Sequence, residues 1–477
     1  MPLSKLEPQI VWDYFAKLCA IPRPTYQEEA VQQFVLDEAK RLNLQAERDK
    51  TGNIVVRKPA TQGKEQAQGV ILQAHLDMVA QKNHDSQHNF ATDPILPYVD
   101  GDWVKARGTT LGADNGIGAA AALAVLASDN IAHGNLECLF TASEESGMDG
   151  ALGLQAGWLK GDILLNLDSE TLGEICIGCA GGVDATFSLP TTTQTATGTA
   201  FRLTVRGLKG GHSGIDIIKQ RGNAIKILVQ ILRDLGDEIA LADVQGGTLR
   251  NAIPREAEAV FFSQREWAFL HNQIHVLFEK IKATLSSEDQ NCQIELHAHS
   301  ATNMCFTKES QERVLRVLNA CPNGVDAMNL DVANLVETSS NLAKVECVSG
   351  SLNVYCLLRS QNDFARNHLA QRMSDLFELA GGTAQLSGAY AGWRPVVGAA
   401  ITQILAREGE KLLGKQPEIG VIHAGLECGI LATHYPHWQM ASFGPTIEMP
   451  HSPDERVQIQ SVGVFWTWLK NVLAAVD

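Results

Sequence analysis

A chain of 477 residues exceeds what one hydrophobic core usually serves, so two or more domains are expected. Its 45% hydrophobic and 19% charged residues exclude large-scale disorder or low complexity. A net charge of −15, with no long Lys/Arg run, argues against nucleic-acid binding as the main activity.

The first twenty residues lack the apolar core and cleavage site of a signal peptide. No stretch approaches the ~20 uncharged apolar residues that span a membrane. The expected location is the cytoplasm, with no membrane partner. Most of the ten cysteines sit inside apolar runs, as buried thiols do in a reducing compartment. Cys176 and Cys179 have CxxC spacing, but no second CxxC accompanies them. A strand running into a glycine turn explains them better than a redox role.

Residues 1–182 alternate short apolar strands (Asn53–Arg57, Gly69–Ala74, Leu136–Thr141, Asp162–Leu167) with helices near Pro8–Ala20, Gln27–Leu42 and Asn115–Ser128. That alternation favours an α/β fold with a largely parallel sheet flanked by helices. The polar, turn-rich stretch from Pro190 to Gly198 suits a domain crossing.

Beyond it come strand Phe201–Val205, the glycine turn Lys209–Gly214 and helix Asn223–Leu235, then strand Ala257–Ser263, helix Trp267–Leu285 and strand Gln293–His299. A second set of helices and strands reaches Ala389. Residues 183–394 therefore read as an inserted α+β domain, long enough for two similar halves. Residues 395–477 return to the first texture, with helix Val397–Leu413, strands Ile419–His423 and Gln439–Phe443, and helix Ser461–Ala475. The expected architecture is a catalytic domain in two parts, 1–182 and 395–477, interrupted by the insertion.

Five residues with metal-binding side chains punctuate this pattern. His75 and Asp77 lie where a buried strand ends, the usual place for ligands in open α/β sheets. Two residues on along extended chain, Asp77 points to the same side and can accept the imidazole's second N–H. Asp114 precedes an alanine-rich helix. It would pass for a helix cap, yet a carboxylate there can bridge two ions. The glycine loop around it departs from a tight strand-to-helix turn, which discounts a dinucleotide site. Glu144 and Glu145 follow a buried strand, so one can ligate while the other moves a proton. Asp168 ends the apolar run ILLNLD, and His451 lies in a proline-stiffened loop. Each has a bland explanation, but together they satisfy a two-metal site. No HExxH helix, GxSxG elbow or P-loop competes with them.

With these residues, and with stretches such as QAHLDMV, TTLGADNGIG, LKGGHSG, GGTLRNAIPREA, VIHAGLECG and PHSPDE, the chain resembles the co-catalytic zinc metallopeptidases. That family includes carnosinases and several amino-acid deacylases, and the likeness extends to its aminoacyl-histidine dipeptidase branch. The resemblance covers essentially the full chain. It implies two divalent ions, zinc first with manganese or cobalt as alternatives, held by His75, Asp114, Glu145, Asp168 and His451. Asp77 would support His75, and Glu144 would activate a metal-bridging water. It also implies that the insertion is a lid and dimerisation domain, whose His212 polarises the scissile carbonyl from the same chain or from a partner. Asn251 and Arg359 would bind the substrate carboxylate, Arg359 through its planar fork. His423 and Glu427 would read the substrate's other end. The expected activity is hydrolysis of Xaa-His and related dipeptides, β-alanyl-histidine included, by a homodimer. The alternatives are a deacylase of N-acyl amino acids on the same scaffold, or a metal-binding protein without turnover.

Overall fold

The structure, a computed structural model, describes residues 3–300, 303–330 and 332–477. The chain divides into two compact units. One comprises Met1–Cys179, Trp393–Val421 and Leu426–Asp477; the other comprises Ala180–Gly392 and Ile422–Gly425.

The first unit is built on an eight-stranded sheet. Its order is Gln45–Arg48, Ile54–Lys58, Leu136–Thr141, Val70–His75, Ile163–Asn166, Gln439–Ser442, Glu174–Cys179 and Glu418–Ile422. Four neighbouring strands from Leu136–Thr141 to Gln439–Ser442 run parallel, while the adjoining strands pair antiparallel. The sheet is mixed, as expected, but parallel only in these four central strands and not over most of its width. Its parallel strands are near-continuous apolar runs because helices cover both faces. Val70–His75 and Leu136–Thr141 are buried at every position.

The helix Ala113–Ala127 is buried along almost its whole length, as its run of alanines and lack of charge beyond Asp114 require. Gln9–Cys19, Glu29–Arg41, Ala400–Leu413 and Ile459–Ala475 complete the layers around one core. A small four-stranded sheet orders Ile447–Glu448, Arg456–Gln458, Trp103–Lys105 and Tyr98–Asp100. It brings the loop carrying His451 beside the stretch leading to Asp114.

The second unit is an antiparallel sheet over a separate core. The strands Gln293–Ala298, Thr199–Arg206, Ala257–Ser263 and Ala240–Gly246 form one half; Val336–Val348, Ser351–Ser360, Gly181–Pro190 and Thr383–Tyr390 form the other. The halves join through a single pairing, Gly246 with Val345. Helices Ala224–Leu235 and Trp267–Lys282 serve the first half and Asp363–Leu379 the second, while Lys308–Ala320 packs on Ala224–Leu235 and on the strand Ala240–Gly246.

Three details differ from the sequence reading. The change of unit falls at Ala180, three residues before the expected start at 183 and ahead of the polar stretch after Pro190, because Gly181–Pro190 is itself a strand. Its inward residues Val183, Ala185, Phe187 and Leu189 alternate as a half-buried strand should. The polar stretch lies inside the second unit, where Thr193–Thr195 pairs with Met304–Phe306. Finally, Ile422–Gly425 returns to the second unit, so the C-terminal segment of the first is interrupted.

Candidate active site

Within the first unit, the carboxyl ends of three parallel strands carry four of the singled-out residues. His75 is the last residue of Val70–His75 and is 1% exposed. Glu144 and Glu145 follow Leu136–Thr141, and Asp168 follows Ile163–Asn166. Asp114 stands at the start of the buried helix. His451 sits in the hairpin between Ile447–Glu448 and Arg456–Gln458 with a left-handed φ of 60°. Such backbone is uncommon outside glycine and gathers at functional sites.

The side chains of His75, Asp114, Glu145, Asp168 and His451 converge. His75 Nε2 lies 3.1 Å from Asp114 Oδ1 and 3.4 Å from Asp168 Oδ1. His451 Nε2 lies 3.0 Å from Asp114 Oδ2 and 3.0 Å from Glu145 Oε2. Two clusters able to hold a metal ion, His75–Asp114–Asp168 and Asp114–Glu145–His451, therefore share Asp114. A third, His75–Glu144–Glu145, places Glu144 against the same centre. Glu145 Oε1 is buried with no hydrogen-bond partner among the described residues, and buried Asp168 Oδ1 has only the His75 ring at 3.4 Å. Buried carboxylate oxygens are rarely left so. Imidazole nitrogens and carboxylate oxygens are the donor set that borderline divalent ions take. The residues fit a pair of such ions.

Asp77, fully buried, faces the imidazole from the other side, with Oδ1 at 3.3 Å from His75 Nδ1. Its carboxylate also accepts N–H groups from Glu144 and Glu145 and the Thr25 hydroxyl at 2.9 Å. Glu427 opens the helix Glu427–His434 and is fully buried. It accepts from Gln73 Nε2 at 2.6 Å and Thr141 Oγ1 at 2.7 Å.

Crowded negative charge sets the electrostatics. Burial, with Asp168, Glu145 and Glu427 nearby, holds the Glu144 carboxyl well above its usual range. Burial pushes Asp168 up to about 7, Glu427 and Glu170 up to about 8, and Glu455 up to about 7. The histidines respond in kind. Burial opposes charge on His75, but Asp168, Asp114 and Asp77 outweigh it and lift the ring well above its normal value. Hydrogen bonds to Asp114 and Glu145 lift His451 to about 11. So many carboxyls competing for so little positive charge form a cradle for cations.

The second unit gathers four of the other candidates, His212, Asn251, Arg359 and His423. The short strand Gly211–His212 pairs with Ala252–Ile253, placing His212 opposite Ala252 and beside Asn251. Asn251 is exposed, and its carbonyl accepts the Ser213 N–H at 2.8 Å. His212 Nδ1 accepts N–H groups from Gly214 at 3.2 Å and Ile215 at 3.1 Å. Burial and the positive charge of Arg359 push the ring down to about 4. It is therefore neutral, with its proton on Nε2.

Arg359, 5% exposed, is the penultimate residue of the strand Ser351–Ser360 and donates to Tyr390 Oη at 2.9 Å. His423 Nε2 lies 2.7 Å from Ser339 Oγ; burial, Arg359 and His212 hold that ring down at about 3. His423 and Glu427, paired in the sequence reading, fall in different units. No disulfide links the cysteines, and Cys179 is buried at the end of a strand.

Two residues of this neighbourhood escaped the sequence reading. Arg23 and Glu455, each 2% exposed, bind the backbone of the ligand-bearing loops. A buried charge is a signal only once burial is known. Glu455 lies inside the PHSPDE stretch, four residues after His451, and that proximity was the one available hint.

Comparison with known proteins shows the family. Residues 71–474 match peptidase family M20/M25/M40. The cytosol non-specific dipeptidase of Escherichia coli is 47% identical over 480 aligned residues, covering 99% of each chain. The crystal structure of aminoacylhistidine dipeptidase from Vibrio alginolyticus is 45% identical, covers 100% of this chain and 98% of its own, and superposes with a TM-score of 0.92. Aminopeptidase PepT from Bacillus cereus, at 16% identity, 99% coverage of both chains and a TM-score of 0.59, shares the fold. Among the described residues, no helix is long and apolar enough to cross a membrane.

Proposed function

This chain belongs to peptidase family M20/M25/M40, and we propose that it is a two-metal dipeptidase cleaving Xaa-His and related dipeptides, β-alanyl-histidine among them. The observation that carries this reading is the shared carboxylate of Asp114, which offers one oxygen to His75 and the other to His451. Asp114 would bridge two divalent ions, with His75 and Asp168 completing one site and Glu145 and His451 the other. Zinc is the first candidate, and manganese or cobalt suits the same donors. When bound, such a pair lowers the pKa of a shared water and polarises the substrate carbonyl.

The chain's own groups do the rest. Asp77 fixes the orientation of the His75 ring. Glu144 takes a proton from the attacking water and returns it to the leaving amine. His212, with Nδ1 occupied by backbone N–H groups, donates through Nε2–H to the oxygen of the scissile carbonyl. Arg359 and Asn251 bind the substrate carboxylate, while His423 and Glu427 read the other end. The name of the Escherichia coli relative supports a cytoplasmic location for this chain too. Dimerisation through the second unit is part of the proposal. It rests on the resemblance and on the sheet's edge strands, Gln293–Ala298 and Thr383–Tyr390.

The test is elemental analysis of purified protein, with a dipeptide panel assayed before and after chelation. Two ions per chain and chelator-sensitive release of histidine from β-alanyl-histidine are expected. Release of acetate or succinate from N-acyl amino acids in its place would favour a deacylase. Bound metal without any turnover would favour a non-catalytic protein.

A further inference from the structure

Two buried side chains of opposite charge, neither of them a candidate ligand, close on the backbone that carries Asp114. Glu455 Oε2 accepts the N–H groups of Leu111 and Gly112 at 2.7 and 2.9 Å, and Oε1 accepts those of Ala113 and Asp114 at 2.7 and 3.2 Å. Four donors fill the capacity of a carboxylate. From the carbonyl side, Arg23 Nη2 donates to Gly112 O at 2.6 Å. Its Nη1 donates to Leu76 O at 2.8 Å and Asp77 O at 2.9 Å. Gly112 is thus held by its N–H and its C=O at once. With φ at 70°, a Cβ there would meet Arg23 Nη2 at 2.6 Å and Met78 Sδ at 2.8 Å, so the grip needs glycine.

Chain connectivity gives the arrangement its consequence. Arg23 joins the segment of His75 and Asp77 to that of Asp114, and Glu455 joins the segment of Asp114 to that of His451. Three ligand-bearing stretches, far apart in sequence, are tied by two side chains. We propose that Arg23 and Glu455 are positioning residues, a clamp of opposite charges that presets the Asp114 carboxylate for simultaneous use by two ions. The inference rests on Asp114 being the shared ligand. A bridging carboxylate is sensitive to such support, because one displacement disturbs both sites. Removing either member leaves the backbone N–H or C=O groups it held buried without a partner, and the segment relaxes away from its set position.

The test uses the full-length metal-free protein and zinc alone as the probe. Wild type, Glu455→Gln, Arg23→Lys and Glu38→Gln are titrated with zinc in competition with a chromophoric chelator. Melting temperature, kcat and KM are recorded for each. Glu38 is the control, a buried carboxylate that accepts from Tyr14 and Arg41 and bonds none of the ligand segments. In Glu455→Gln an amide replaces two of the acceptor positions; in Arg23→Lys one ammonium cannot span three carbonyls.

Zinc affinity about 10- to 100-fold weaker is expected for both clamp variants, the range for outer-shell partners of a metal site. At saturating zinc, kcat falls with little change in KM. Glu38→Gln loses melting temperature but keeps its zinc affinity. Arg23→Lys carries the test if Glu455→Gln does not fold. Wild-type zinc affinity in folded clamp variants, or equal weakening in Glu38→Gln, overturns the clamp. A wild type that binds no zinc overturns the metal-centre reading itself, and the clamp with it.

Discussion

The backbone N–H of Glu144 donates to Oδ1 of Asp77 at 3.0 Å, the same oxygen that faces His75. One buried carboxylate thus fixes both a candidate ligand ring and the point where the candidate base leaves its strand. Asp77→Ala should therefore cost more than a lost partner for His75. We expect weaker metal binding and kcat reduced by about 10- to 100-fold. Metal titration and steady-state kinetics on the same preparation check this. A variant that lost metal affinity but kept wild-type kcat at saturating metal would leave Asp77 with no part in placing Glu144.

His451→Ala removes the ring shared by Asp114 Oδ2 and Glu145 Oε2. Metal stoichiometry should fall from two ions per chain towards one, because His75, Asp114 and Asp168 still form a cluster. Elemental analysis after dialysis reads the outcome. Two tightly bound ions in this variant would exclude His451 from the ligand set.

The crowding of raised carboxyls around Asp114 makes metal a stabilising ligand. Free metal at about a thousand times its dissociation constant adds about 4 kcal/mol to folding. Chelation should therefore lower the melting temperature of wild type. The drop should be smaller in a His451→Ala variant, which has less metal to lose. Calorimetric scans with and without chelator make the comparison.

His423 provides a pH test that is independent of the metal centre. Its pKa, pushed down to about 3 by burial, Arg359 and His212, lies below the ~6.5 of an exposed histidine. Between these values the unfolded chain binds the extra proton and the folded chain does not, so stability falls as pH is lowered. It is fully present above about 6.5 and is lost as pH drops through the folded value. His423→Gln should lose less melting temperature than wild type between pH 7 and pH 4. Parallel curves would show that His423 is not buried neutral.

Much of this was legible in the sequence because buried parallel strands announce themselves. An apolar run ending in His75, in Asp168, or just before Glu144 and Glu145 states that a polar group sits at a strand's carboxyl end. The alanine-rich helix after Asp114 was equally plain. What stayed hidden depends on partners chosen by the fold. Arg23 and Glu455 bind backbone atoms of distant segments, and no spacing encodes that. The strand Gly181–Pro190 was masked by the adjacent glycines and the threonine-rich stretch, though its alternation was present. The return of Ile422–Gly425 to the second unit, which separates His423 from Glu427, has no local signature at all. The role given to His212 came from resemblance. Its Nδ1 contacts with Gly214 and Ile215 supply a physical reason that the motif alone did not contain.

In the proposed mechanism Glu144 moves the proton while the neighbouring residues hold the metal. The most direct measurement is kcat for β-alanyl-histidine hydrolysis by Glu144→Ala, on protein shown to carry two metal ions per chain. Full metal content is expected, with turnover lower by about two to four orders of magnitude, the contribution of a positioned acid–base group. Turnover within a few-fold of wild type, on fully loaded protein, would contradict it.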